Sequence, residues 1–137
     1  PTETEEDHQD TLSLMDYVQY HFGFMFSFSE RPGTLAMRKL KDDVSEEIKL
    51  RRLQEIIEKQ RLHSRFRTSD YKNKTVCVLI ERESKKSKLE WSGRTSQNTV
   101  VVFPKENYSV GDFVDVKIDD CTSATLIGTP SGISKNI

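Results

Sequence analysis

Cysteine is nearly absent from this chain. Two thiols in 137 residues cannot form a disulfide framework, an iron–sulfur cluster or a four-thiolate zinc site. Long apolar runs are missing too: stretches such as Val76–Ile80 and Val100–Phe103 fall far short of the roughly 20 residues a spanning helix needs. The opening residues carry no basic-then-apolar leader, so neither secretion nor membrane insertion is expected and a cytoplasmic, reducing setting is. No glycine-rich phosphate loop and no nucleophile elbow occurs. Apolar residues make up 34% and charged residues 31%, which is lean for one compact core, at a length that fits one domain or a small domain plus part of another.

Basic residues are missing from residues 1–30, which hold seven carboxylates. Residues 31–70 carry eleven basic and seven acidic side chains, and residues 71–137 carry ten and eight. Within Lys72 to Arg94 the count is seven basic against three acidic. The net charge of −1 therefore hides a polarised chain whose basic stretch can attract phosphates.

Thr2 or Thr4 can cap a first helix, and the carboxylates that follow suit its positive end. Leu12, Met15 and Val18 mark its buried stripe, with Tyr17 beside it. Phe22, Phe24, Phe26 and Phe28 alternate, which predicts a strand with one apolar face, and helix followed by strand is half of an α/β repeat. Arg31-Pro32-Gly33-Thr34 is a turn before a short helix over 35–41. Asp43 with Glu46 suggests a capping box, Ser45 being a rival cap, for a long helix running to about Phe66. Its expected inward residues are Ile48, Leu53, Ile56 and Ile57, and its outward ones Lys49, Arg52, Glu55 and Lys59. From Tyr71 the period becomes two, with Val76, Val78 and Ile80, then Lys88–Trp91, Val100 and Val102, Val114 to Ile118, and Ala124 with Leu126. Five short strands in this space predict a small closed barrel of the OB kind. The expected division is 1–68, 71–129 and a frayed polar tail over 130–137.

His8, His21 and His63 have no metal-ligand spacing, and Cys77 and Cys121 read as buried small hydrophobes. No catalytic residue and no metal ligand is assigned. Lys85, Lys86, Lys88 and Arg94 flank a strand bearing Trp91. Barrels of this kind bind single-stranded or looped RNA through cationic edges and stacking aromatics. A solvated lysine turn beside a core tryptophan is the other reading of the same residues.

Phe26-Ser27-Phe28-Ser29-Glu30-Arg31-Pro32-Gly33-Thr34, Asp42 to Glu47 and Arg52-Leu53 resemble the barrel end of the radical-SAM methylthiotransferases. Pro1 to Asp7 resembles their Gly-Phe-Pro-Gly-Glu-Thr-Glu-Glu-Asp segment, with Thr2 where the family has glycine. Glu83 to Lys86, Gly93 to Asn98 and Val102-Phe103 are similar to their C-terminal TRAM domain. The Ser-Glu-Arg-Pro-Gly-Thr and Gly-Arg-Thr-x-x-Asn forms are closer to the tRNA 2-methylthioadenosine branch than to the ribosomal-protein branch.

The resemblance implies an α+β chain: the C-terminal portion of a radical-SAM α/β barrel with a connecting helix (1–68), then an all-β TRAM barrel (71–129). It implies that the N-terminal and radical-SAM parts of the same polypeptide lie outside this chain. They would hold two 4Fe-4S clusters and use S-adenosylmethionine to add a methylthio group to C2 of an N6-prenylated adenosine beside the anticodon. This piece would bind neither cofactor, be inactive alone, and grip the anticodon stem-loop of tRNA, with no DNA partner. The implied RNA contacts are Lys85, Lys86, Lys88 and Arg94, and the implied substrate-side barrel residues are Glu30 and Arg31. A stand-alone TRAM-type RNA-binding or scaffold module is the alternative.

Overall fold

Thr4 opens the first helix, α1 (Glu5–Val18), by a reciprocal pair of bonds. Asp7 N donates to Thr4 Oγ1 at 3.1 Å, and Thr4 N donates to the Asp7 carboxylate at 2.8 Å. Such a capping box satisfies two otherwise orphaned donors and stabilises by about 1 kcal/mol. The computed structural model describes residues 1–135, which fall into two units, Pro1–His63 and the residues from Ser64 onward.

In the first unit, α1 buries Met15 and His8, leaves Leu12 and Val18 half-buried, and exposes Tyr17. Thr34 caps the short α2 (Leu35–Lys39) by accepting from Met37 N at 3.3 Å. Ser45 caps α3 (Glu46–Ser69), accepting from Ile48 N at 3.4 Å. The expected cap, Asp43, instead accepts from Thr2 N at 2.6 Å, so the rival Ser45 takes the capping position.

Two further expectations fail in this unit. No strand forms over 21–30. Phe22, Phe24 and Phe26 are exposed, Phe24 and Phe26 by 84% and 85%. Alternation supplies an apolar face, but a strand needs a hydrogen-bonded neighbour, and no described strand pairs with this segment. The described part of residues 1–68 is thus helix and irregular chain, without the sheet of an α/β barrel.

The second failure is the inward face of α3. Lys49, Arg52 and Gln60 are buried, whereas Ile48 is exposed. The buried cations are paired: Lys49 donates to Asp42 and Glu46, and Arg52 donates to the Glu3 carbonyl at 2.9 Å and its carboxylate at 2.8 Å. Arg51 donates to Glu5 at 2.6 Å and Glu55 at 2.7 Å, and His8 Nε2 lies 2.7 Å from Glu55. Long stems pack against apolar neighbours while the heads find carboxylates, so a charged stripe can face inward.

The second unit matches its sequence pattern except in the third strand, where Val101 and Phe103 are buried and the expected pair, Val100 and Val102, is only half-buried because cross-strand register turns the other parity inward. Strands β1 (Thr75–Glu83), β2 (Glu90–Arg94), β3 (Val100–Pro104), β4 (Phe113–Cys121) and β5 (Thr125–Ile133) close in the order β1-β2-β3-β5-β4. Only β3 and β5 pair in parallel; the other junctions are antiparallel. Val78, Ile80, Val101, Phe103, Val114, Val116, Ile118 and Leu126 fill the interior. Each contributes roughly 1.5–3 kcal/mol by leaving water. Register shifts at Ile80/Arg82 in β1 and at Asp115/Val116 and Ile118/Asp120 in β4 supply the curvature closure needs.

The expected tail is in part strand. β5 continues through Ile133, and Ser134 N donates to Phe113 O at 2.8 Å. Pro130 fits there because its missing N–H falls at an irregular position beside Val116. The rest of that tail, residues 136–137, lies outside the described residues.

Candidate nucleic-acid interface

The β1–β2 hairpin presents its lysines at one end of the barrel. Ser84 N donates to Glu90 O at 2.9 Å, closing the loop. Ser84 Oγ then accepts from Lys86 N at 3.3 Å, and Ser87 Oγ from Leu89 N at 3.2 Å. Those serine turns spend the loop's polar groups internally and leave Lys85, Lys86 and Lys88 exposed. None of the three takes part in an ion pair among the described residues.

Trp91 sits beside this loop. Its register partner across the sheet is Phe103, a core residue, so the indole points inward and closes the barrel end half-buried. Lys105 Nζ lies 4.2 Å from the ring centroid and also pairs with Glu83. The Glu83 carboxyl is held below its usual range, first by the hydrogen bond from Lys105, then by that cation's charge, with a smaller pull from Lys88. Lys105 is the residue that sequence reasoning missed. Nothing in its local context marks it, since only the β2–β3 register carries it to Trp91.

Arg94 lies apart from the lysines. It ends β2, four residues beyond Glu90 and therefore about 13 Å along the strand. Its Nε donates to Glu81 at 3.3 Å and its Nη1 to Asn98 Oδ1 at 2.5 Å. Asn98 adopts φ 64°, the left-handed region that asparagine tolerates, inside a loop closed by Asn98 N donating to Thr95 O at 2.9 Å. Arg94 thus braces the β2–β3 loop and keeps Nη2 available along a groove of about 750 Å³ with Leu79, Gln97 and Phe113. The four sequence-assigned cations form two clusters rather than one.

Glu30 and Arg31 lie in the first unit, both exposed. The Arg31 carbonyl accepts from Thr34 N at 3.2 Å and Oγ1 at 2.8 Å, shaping the Pro32-Gly33 turn. A cavity of about 760 Å³ in that unit is lined by Met15, Phe24, Phe28, Lys49 and Arg52, and by neither Glu30 nor Arg31. Cys77 on β1 and Cys121 at the end of β4 are both half-buried. Among the described residues no three His, Cys, Asp or Glu side chains converge to hold a metal ion, so the residues present do not fit an iron–sulfur cluster.

Comparison with known proteins bears on this geometry. The TRAM domain family matches residues 70–130. The chain is 67% identical over 136 residues to the tRNA-2-methylthio-N(6)-dimethylallyladenosine synthase of Christiangramia forsetii, covering 99% of the chain and 28% of that protein. It is 65% identical over 134 residues to the protein of that name from Flavobacterium johnsoniae, again 28% of its length. Against the one from Phocaeicola vulgatus the identity is 53% over 128 residues, with 93% of the chain and 28% of the relative covered. The chain therefore spans little more than a quarter of the length of these relatives, in their C-terminal part.

Proposed function

Residues 70–130 belong to the TRAM domain family, and from that premise we propose that this chain is the RNA-gripping part of a tRNA methylthiotransferase. The observation that carries the proposal is identity of 67% across 99% of the chain, which extends well beyond the TRAM segment. A free-standing RNA-binding module has no use for residues 1–69 in that form. Those residues belong in this reading to the end of the catalytic barrel, and the exposed Phe22, Phe24 and Phe26 then gain the sheet neighbours their alternation calls for. The reaction itself, addition of a methylthio group to an N6-prenylated adenosine, is assigned to the longer cytoplasmic enzyme. Its iron–sulfur and S-adenosylmethionine chemistry is assigned to residues outside this chain.

The part played here is positioning. Lys85, Lys86 and Lys88 act as mobile point charges for phosphates, which gives affinity without sequence preference. Arg94 offers Nη2 to a further phosphate from the opposite end of β2. Held by its backbone, the anticodon stem-loop would be oriented so that its modified base reaches the catalytic part of the enzyme.

Binding of tRNA across a salt series tests this reading. Replacing Lys85, Lys86 and Lys88 together by Ala should weaken binding to many tRNAs alike. The log–log salt slope should fall by about 0.7 to 0.9 for each phosphate that the variant no longer neutralises. Unchanged affinity with an unchanged slope would remove the hairpin from the RNA surface.

A further inference from the structure

We propose that Lys105 is a displaceable cover on Trp91, and that one base of a single-stranded RNA takes its place on the indole. The inference rests on the RNA-binding reading above and names the contact that would anchor the strand between the hairpin lysines. Three observations carry it. Trp91 presses inward against the core while Lys105 Nζ covers its ring at 4.2 Å. The indole Nε1 is buried without a hydrogen-bond partner, so packing and the cation hold the ring. Lys105 is tethered at its backbone, its N donating to Leu89 O at 2.8 Å, whereas its side chain ends in a partly exposed pair with Glu83.

The energetic comparison favours exchange. A cation over a partly exposed ring and a surface ion pair are each worth only about two- to fivefold in an equilibrium. A base stacked on an aromatic is worth roughly five- to a hundredfold. Once displaced, the Lys105 ammonium can swing on its four-carbon stem to a phosphate of the same strand, so its charge is redeployed. Lys85, Lys86 and Lys88 are exposed on the adjoining turn and supply the flanking phosphate contacts. Stacking accepts any base, in keeping with a grip that does not read sequence.

Trp91 is the chain's one tryptophan, so its emission reports on this ring alone. The full chain would be titrated with an oligoadenylate of about eight nucleotides and with an abasic strand of equal length, binding being followed separately by anisotropy of end-labelled strands. Oligoadenylate should quench Trp91, whereas the abasic strand should bind more weakly and leave the emission unchanged. Trp91→Leu, checked for folding by circular dichroism, should weaken oligoadenylate binding on the order of tenfold and leave abasic binding alone. Trp91→Phe, which keeps an aromatic face, should fall between. In the free chain, Lys105→Ala should raise acrylamide quenching of Trp91 about twofold. Binding of oligoadenylate with no change in emission and no effect of Trp91→Leu would overturn the stacked base while leaving RNA binding intact. Unchanged acrylamide quenching in Lys105→Ala would overturn the cover. Absence of binding to either strand and to tRNA would overturn the RNA reading and this inference with it.

Discussion

At the scale of single residues, two glycines decide whether the barrel can close. A Cβ on Gly93 would lie 2.2 Å from the Leu79 carbonyl oxygen and 2.6 Å from a Val78 methyl; one on Gly128 would lie 2.2 Å from the Lys117 carbonyl oxygen. Both positions are buried where strands cross closely. At Gly93, beside Arg94, the closely approaching backbone is the protein's own strand β1. Gly93→Ala should therefore cost more than about 2 kcal/mol, the scale of overpacking a rigid core, as a drop in the urea midpoint. Gly111→Ala meets no atom within 4 Å, though φ is +98°, and should cost only the left-handed strain of about 1–2 kcal/mol. Equal midpoints for Gly93→Ala and the parent would refute the close-crossing argument. Thr2 shows the opposite case, since it holds φ 66° where the family resembled carries glycine.

At the scale of elements, α1 and α3 are joined by charge as much as by apolar contact. Arg52→Met keeps the packed stem but leaves Glu3 and Glu5 without this cation. A loss of about 1.5–3 kcal/mol is expected, the range for hydrogen bonds to charged groups, read from thermal melting of helical ellipticity. Acid should act on the same pair of helices. Glu5 is held down to about 2 from an ordinary 4.5, chiefly by its hydrogen bond from Arg51. Glu55 is lowered first by His8 and then by Arg51, Asp16 mainly by Lys59, and Asp7 by the Thr4 backbone N–H. Each folded-state value lies below the unfolded one, so the unfolded chain binds more protons as pH falls. The stabilisation is whole above about pH 4.5 and drains away toward pH 2. Helical signal should fall across that window, and Glu5→Gln should flatten the fall; a flat acid titration in the parent would contradict the network.

At the scale of the whole molecule, the two units should differ in protection. The barrel has a continuous buried core and a closed hydrogen-bonded ladder, whereas residues 20–33 hold exposed phenylalanines and no regular structure. Native-state hydrogen exchange should find amides of β1, β4 and β5 slowest and those of 20–33 exchanging near the unprotected rate. Uniform protection across both segments would show that the first unit has found another partner for its apolar side chains.

The amino-acid sequence by itself determined the barrel, because period-two alternation with turn residues between strands leaves few other ways to bury Val78, Val114 and Leu126. It also determined the capped start of α1 and the exposed hairpin lysines, which depend on hydrogen bonds between residues two to six apart. Tertiary structure alone decided the rest. That Arg52 faces inward was settled by a carboxylate more than forty positions away in the chain, that of Glu3. The Phe22–Phe28 alternation stayed irregular because a strand exists only through a neighbour that local sequence cannot supply. Lys105 was brought onto Trp91 by strand register. Register is a relation between distant segments, and no local pattern encodes it.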